Sequence, residues 1–169
     1  TATNASWTPT DGTYSWAWQS STDGSSWTTA LGSGAAAQTY TPVGADYNGY
    51  LRVTVTSTRT GYDTSTATSA ASTKVAAGSF TNTGPVGVPS GSLTVGSVLS
   101  ASTGSWSVTP DSYLIRWDRC SNNNCTGNSV TLDQLSSSLT YSLTSGDLSN
   151  NIRLTVTALK TGYATPAAV

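Results

Sequence analysis

Histidine, glutamate and methionine are absent from this sequence, and its only acidic side chains are eight aspartates. Without histidine, neither a Ser-His-Asp nor a Cys-His catalytic arrangement can form, and a histidine-ligated zinc site is excluded. A pair of aspartates would suffice to cleave a glycosidic bond, but several of these aspartates stand beside Gly, Ser or Pro, where Asp commonly caps its own backbone in a turn. We therefore predict no enzymatic activity, no catalytic residues, and no residues that bind a cofactor or a metal ion.

Charge is also scarce, because only 9% of the residues are charged and the formal net charge is -1. The 7 basic residues are scattered singly, so no basic patch is expected to bind nucleic acid or an anionic membrane surface. No apolar run approaches the roughly 20 residues that a membrane-spanning helix requires. The composition thus predicts a polar surface rich in Ser and Thr, with no nucleic-acid partner and no membrane insertion.

The sequence does contain an internal repeat. Residues 2–14 align without a gap on residues 101–113, which places Trp7 opposite Trp106 at an offset of 99. The alignment resumes at an offset of 101, which pairs Tyr40, Asp46, Arg52 and Tyr62 with Tyr141, Asp147, Arg153 and Tyr163. A period near 100 residues matches one small domain, and two such domains exceed the 169 residues present. We therefore expect at least one incomplete unit, and we favour a slice of a longer protein over a natural subunit.

Short segments of alternating polarity predict strands in both copies of the repeat. The residues expected to face inward are Tyr14, Trp16, Trp18, Leu51, Val53 and Val55 in the first copy and Tyr113, Ile115, Trp117, Ile152, Leu154 and Val156 in the second. Turn formers separate these segments, and no stretch has the periodicity of an amphipathic helix. Each copy is therefore predicted to be an antiparallel β-sandwich.

Small residues, Gly and Pro dominate residues 76–87, which we interpret as the link between the two units. The first domain is predicted over residues 1–77 and the second over residues 78–169. Residues 93–100 are expected to form the opening strand of the second sandwich, and residues 1–77 contain no equivalent segment. The first sandwich is therefore predicted to lack its opening strand. Residues 69–75 are a plausible closing strand of the first unit, and the corresponding strand of the second is predicted to be truncated.

The only two cysteines are Cys120 and Cys125, separated by four residues. They are open to three interpretations, namely a local disulfide, half of a metal site, or a redox pair. Two ligands without histidine cannot complete a four-coordinate zinc site, and the spacing is not the two-residue gap of a redox motif. The composition favours an extracellular setting, in which a disulfide across a tight hairpin is the favoured interpretation.

A family resemblance is carried by three segments of the second copy, which read VGSVLSASTGSW at 95–106, YLIRWDRC at 113–120 and TYSLTSGDLSNNIRLTVTALKTGY at 140–163. The first copy matches them with YSWAWQSSTDGSSW at 14–27 and TYTPVGADYNGYLRVTVTSTRTGY at 39–62. With these motifs the chain resembles the immunoglobulin-like tandem repeats of secreted and surface proteins of actinobacteria. The resemblance implies an all-β fold of two tandem immunoglobulin-like antiparallel β-sandwiches.

The same resemblance implies roles for particular residues. Trp18 and Trp117 would be core tryptophans of a central strand, and Cys120 would pair with Cys125. The repeated aspartates would fix a turn before the strand that carries the repeated arginines. Repeats of this kind usually serve as spacers, stalks or accessory modules, so an extracellular or cell-surface location is expected.

The leading functional hypothesis is a non-catalytic structural repeat of an extracellular fibre, stalk or surface array. A sheet that lacks a strand exposes backbone donors and acceptors along its edge, which favours strand addition from a neighbour. We therefore expect self-association or contact with neighbouring repeats of the same protein. The alternative is a carbohydrate-binding accessory module of a secreted protein, in which Trp27, a tryptophan without an obvious counterpart in the repeat, would contact a polysaccharide by ring stacking.

Overall fold

The computed structural model describes residues 1–126 and 129–169. The chain divides into two compact units, Thr1–Gly78 and Ser79–Val169. Both are built from antiparallel strands with one short 3-10 turn each, so the fold is all-β and consistent with a β-sandwich, as predicted. Among the described residues, no helix has the length and apolar character needed to cross a membrane.

The first unit is organised around a four-stranded antiparallel sheet of order β2-β1-β3-β4. Its strands are β1 (Thr13–Ser21), β2 (Thr28–Thr29), β3 (Tyr50–Thr58) and β4 (Ser65–Thr68). Strands β1 and β3 pair along their full length, from Thr13 opposite Thr58 to Ser21 opposite Tyr50. A 3-10 turn at Gly44–Asp46 precedes β3.

The second unit contains a three-stranded sheet of order β11-β8-β9 and two pairs, β10-β6 and β5-β7. Its strands are β5 (Asn82–Gly84), β6 (Val98–Ser100), β7 (Ser105–Trp106), β8 (Ser112–Cys120), β9 (Ser129–Ser136), β10 (Thr140–Ser142) and β11 (Asn151–Leu159). Strands β8 and β11 repeat the long pairing of β1 and β3, and a 3-10 turn at Ser145–Asp147 precedes β11.

Burial follows the predicted alternation, but the two cores differ in density. Ile115, Trp117 and Val156 of the second unit have at most 1% of their surface exposed. Leu99 and Leu143 belong to the same cluster and close it from the β6-β10 side. In the first unit the aromatic side chains of β1 stay partly exposed, because the cluster beneath Trp16 contains only Ala2 and two valines as fully buried members. The second unit thus has the better-packed core.

The predicted opening strand of the second unit is shorter than residues 93–100. Only Val98–Ser100 forms a strand, because the chain turns immediately before it. In that turn the N–H of Ser97 donates to the carbonyl of Thr94 at 3.0 Å, and Gly96 adopts a φ of 88°, which glycine tolerates without steric cost.

The segment predicted as a link, residues 76–87, is largely part of the second unit. Strand β5 lies within it, and Phe80 is buried with 4% of its surface exposed. The Phe80 ring packs against Trp106 and Tyr163, both at 5.8 Å between ring centroids. The Phe80 side chain therefore anchors this segment to the second unit, although the composition of the segment resembles that of a linker.

We expect Trp117→Ala to lower the free energy of unfolding of the second unit by about 3–5 kcal/mol, the usual cost of deleting a buried aromatic side chain. Trp18→Ala is the matched variant, and its cost to the first unit should be smaller because Trp18 is only half-buried. Amide hydrogen exchange under denaturant measures each unit separately. Equal losses in the two units would contradict the difference in packing.

Candidate functional site

Each unit contains a buried aspartate that is bonded to a tyrosine, and a tryptophan that stacks on that tyrosine. We call this arrangement the Trp-Tyr-Asp motif, formed by Trp18, Tyr40 and Asp46 in the first unit and by Trp117, Tyr141 and Asp147 in the second. All six positions follow the sequence repeat, at an offset of 99 for the tryptophans and 101 for the others. The motif joins a long strand, an edge segment and the 3-10 turn of the same unit.

In the first unit the rings of Trp18 and Tyr40 stack at 5.5 Å between centroids, with an interplanar angle of 23°. The indole N–H of Trp18 donates to the carbonyl of Ala37 at 2.9 Å. The Tyr40 hydroxyl donates to Asp46 Oδ2 at 2.6 Å, and the N–H of Val43 donates to the same oxygen at 2.9 Å. Every polar group that the motif buries therefore has a partner, as low-dielectric surroundings require.

The second unit repeats this geometry. Trp117 and Tyr141 stack at 5.7 Å and 27°, and the indole N–H donates to the carbonyl of Ser138 at 3.1 Å. The Tyr141 hydroxyl donates to Asp147 Oδ2 at 3.0 Å, and the N–H of Thr144 donates to it at 2.7 Å. The arrangement predicted for the aspartates, a fixed turn before the long strand, is therefore present in both units.

An arginine completes the motif only in the second unit. Arg119 Nε donates to Asp147 Oδ1 at 2.6 Å, and the corresponding residue of the first unit is Ser20. Burial alone would raise the pKa of Asp147, but hydrogen bonds from Thr144, Arg119 and Tyr141 outweigh burial and hold that pKa below its ordinary value. The carboxylate therefore stays charged and bonded at neutral pH.

Burial also affects the tyrosines of the motif. It raises the pKa of Tyr40 to about 12, and the hydrogen bond to Asp46 adds to the increase. Burial, together with the bond to Asp147, likewise raises the pKa of Tyr141. Both hydroxyls thus remain protonated and donate to a carboxylate, which suits a permanent structural contact rather than proton transfer.

A cross-strand pair on the opposite face of the sheet was not predicted from the sequence. In the first unit Arg52 Nε donates to Gln19 Oε1 at 2.8 Å, and at the matching positions of the second unit Arg153 Nη2 contacts Asp118 Oδ2 at 3.0 Å. Arg116 contacts the same oxygen at 3.1 Å, and Asp118 is 1% exposed. The repeated arginine, aligned with the residue opposite it, is the signal that would have identified this pair.

Cys120 and Cys125 form the predicted disulfide, with their Cα atoms 4.9 Å apart. The first unit closes the corresponding hairpin with hydrogen bonds. There the Ser21 hydroxyl, at the position of Cys120, donates to Asp23 Oδ1 at 2.9 Å, and the same oxygen accepts from the N–H groups of Ser25 and Ser26. These backbone bonds from Ser26 and Ser25, with the Ser21 hydroxyl, lower the pKa of Asp23 well below its ordinary value.

Trp27, the candidate sugar contact, is partly exposed beside strand β2. The guanidinium of Arg52 lies over its ring at 4.3 Å from the centroid, in cation–π geometry. One face of the indole is therefore covered by a side chain of the same unit. Among the residues that the structure describes, no group of three His, Cys, Asp or Glu side chains is placed to hold a metal ion.

Comparison of the chain with protein-family models, with curated proteins and with solved structures finds no match in any of the three.

Asp147→Asn should lower the free energy of unfolding of the second unit at neutral pH by about 1.5–3 kcal/mol, because Asp147 makes charge-assisted hydrogen bonds. A carboxylate whose folded pKa is depressed contributes stability above its unfolded pKa of about 3.9, and this contribution is lost as the pH falls. The wild type should therefore lose more stability than the variant below about pH 4. Denaturant unfolding at a series of pH values measures both profiles.

Asp63→Asn is the control, because it removes the same charge from an exposed position in the first unit. It should leave the acid profile of the second unit unchanged. If Asp147→Asn and the wild type lose stability in parallel below about pH 4, the charged role of Asp147 is wrong.

Replacing both cysteines by alanine should cost the second unit about 2 kcal/mol, because the bridge closes a loop of only a few residues and restricts the unfolded chain little. Calorimetry of the variant beside the reduced wild type measures this cost. A transition of the second unit that disappears entirely would show that the bridge is a condition of folding.

Proposed function

We propose that the chain is a non-catalytic structural repeat of an extracellular fibre, stalk or surface array, formed of two tandem immunoglobulin-like units. The observation that carries this proposal is the Trp-Tyr-Asp motif, which recurs with the same stacking and the same carboxylate bonds in both units. Its polar groups are occupied by one another and by backbone groups of the same unit. Because this repeated contact leaves no reactive group free, it supports a structural role, in which the motif stabilises the fold of each unit.

The two units differ in ways that support contact with neighbouring units. In the second unit Phe80 packs on Trp106 and Tyr163. The matching residues of the first unit are Trp7 and Tyr62, and Tyr62 is 59% exposed. The indole N–H of Trp7 is buried without a hydrogen-bond partner. The exposed aromatic surface at Tyr62 therefore supports a hydrophobic contact with a neighbouring unit.

An extracellular location is supported by the disulfide and by the polar, weakly charged surface. Disulfides persist in oxidising environments and are rare in the cytosol. Only 9% of the residues are charged. A surface of this kind suits a spacer, because it offers no strong electrostatic attraction to other macromolecules.

Force spectroscopy of the chain held by its two ends tests the structural role. We expect two separate unfolding events with length gains of roughly 25 and 30 nm, since each released residue adds about 3.5 Å. Trp117→Ala should lower the force of the longer event alone, which assigns that event to the second unit. A chain that extends smoothly, without force peaks, would contradict a structural role under tension.

A further inference from the structure

The buried aspartate of each unit has two carboxylate oxygens, and the Trp-Tyr-Asp motif uses only one of them. In the first unit the Tyr40 hydroxyl and the Val43 N–H both donate to Asp46 Oδ2. No residue in the described part of the chain donates to Asp46 Oδ1. In the second unit the matching oxygen, Asp147 Oδ1, accepts from Arg119 Nε at 2.6 Å. The two units therefore differ in what faces the second oxygen.

This difference arises at one position of the central strand. Arg119 lies near the end of β8, and the residue at the same place in β1 is Ser20. Ser20 and Asp46 line a common cavity of about 280 Å³. Because serine is much shorter than arginine, this cavity corresponds to the space that the Arg119 side chain fills in the second unit. The second oxygen of Asp46 therefore faces the cavity.

Negative charge dominates the surroundings of this cavity. Asp46 is only 3% exposed, and burying a carboxylate is costly unless its oxygens are bonded. Asp23 belongs to the hairpin that borders the cavity through Thr22 and Ser26, and it accepts hydrogen bonds from serines of its own turn. Among the residues that the structure describes, neither aspartate is paired with a basic side chain. The cavity is therefore suited to a cation.

No basic side chain of the protein is left to supply that cation. All 7 of them already contact another group. The pairs are Arg52–Gln19, Arg59–Asp11 and Lys74–Asn48 in the first unit, and Arg116–Asp118, Arg119–Asp147, Arg153–Asp118 and Lys160–Asp111 in the second. A cation that binds in the cavity is therefore a ligand.

The 3-10 turn indicates which kind of cation fits. A Cβ atom added at Gly146 would lie 2.9 Å from Arg119 Nη2 and 3.1 Å from its Cζ. The matching residue of the first unit, Ala45, has this Cβ atom and lines the cavity. A planar guanidinium therefore cannot sit in the first unit as Arg119 sits in the second. A primary ammonium group is more compact and donates three hydrogen bonds.

Hydroxyl groups supply the other acceptors that an ammonium group requires. The side chains with hydroxyls that line the cavity are Ser20, Ser21, Thr22, Ser26 and Thr28. A hydroxyl oxygen has two lone pairs, so it can accept from an ammonium group while it donates elsewhere. One carboxylate among neutral hydroxyls suits a singly charged hydrogen-bond donor better than a divalent metal ion, which takes several carboxylate ligands.

We propose that this cavity binds the primary ammonium group of an amine, as found at the end of a lysine side chain. One N–H of the ammonium group donates to Asp46 Oδ1, and the other two donate to hydroxyl oxygens of the lining. The ligand thereby does for Asp46 what Arg119 does for Asp147. The site goes beyond the structural role proposed above and does not depend on it.

Titration of the isotope-labelled full chain with n-butylammonium, at constant ionic strength, tests the site. We expect saturable amide shifts confined to residues 20–28 and 44–49, with a dissociation constant that is roughly millimolar. Tetramethylammonium carries the same charge but no N–H, and it should not bind. n-Butylguanidinium should bind roughly fivefold more weakly or worse, because the Ala45 methyl crowds it.

Two variants separate the roles of the turn and the strand. Ala45→Gly should raise the affinity for n-butylguanidinium to that for n-butylammonium. Ser20→Arg combined with Ala45→Gly rebuilds the arrangement of the second unit, so the introduced arginine should fill the cavity and abolish amine binding. Ser15→Arg is the control, because it adds the same charge at an exposed position of β1 and should leave amine binding unchanged.

The probe also distinguishes the source of the amine. Tighter binding of N-acetyl-lysine methylamide than of n-butylammonium would support the site and assign it to a lysine side chain, whereas equal binding would support it for a free amine. Absence of saturable shifts at about 0.1 M amine would overturn the proposal, since such binding is too weak to be specific. Equal shifts with tetramethylammonium, or displacement of the amine by millimolar calcium, would also overturn it.

Discussion

The hydrogen bond between a buried carboxylate and a stacked tyrosine is the interaction on which each unit depends. Burying a carboxylate is costly unless its oxygens are bonded, so Asp46 and Asp147 are stable only in the company of their partners. Those partners come from different parts of the unit: the turn supplies a backbone N–H, and the edge segment supplies the phenol. The tyrosine ring then stacks on a tryptophan of the central strand. In each unit, one carboxylate therefore links the 3-10 turn, the edge segment and the central strand.

Around this shared interaction the two units use different local chemistry. A disulfide closes the hairpin after β8, whereas an aspartate that accepts four hydrogen bonds closes the hairpin after β1. The repeated arginine faces glutamine in one unit and a buried aspartate in the other. Hairpin closure and the cross-strand pair thus tolerate substitution, because each needs only a local donor and acceptor. The Trp-Tyr-Asp motif is kept in both units because it links three separate segments, so that the loss of one member leaves the others without a stacking or hydrogen-bonding partner.

Alternating polarity was enough to predict the β-fold and the inward faces of the long strands, because one face of each strand packs against the core and the other faces water. The repeat made the turn at Asp46 and Asp147 predictable as well. Phe80 was not predictable in this way, since its burial depends on Trp106 and Tyr163, which lie far away in the sequence. The ion pairs of Asp118 depend on strand register, which alternation alone does not fix. Residues 69–75 were predicted as a strand and do not form a regular one, because the hydroxyls of Ser69 and Ser72 accept two of the bonds that backbone carbonyls would accept in a regular ladder.

The edge of a sheet presents mainly backbone N–H and C=O groups. A segment that covers the edge must therefore approach closely enough to bond to these groups. In the first unit, small side chains at residues 69–72 let two serine hydroxyls reach the backbone of β3. A bulky or charged residue at those positions would hold the chain away from the strand and leave the N–H groups unpaired. Selectivity at such an edge therefore comes from small hydroxyl residues spaced to match the strand.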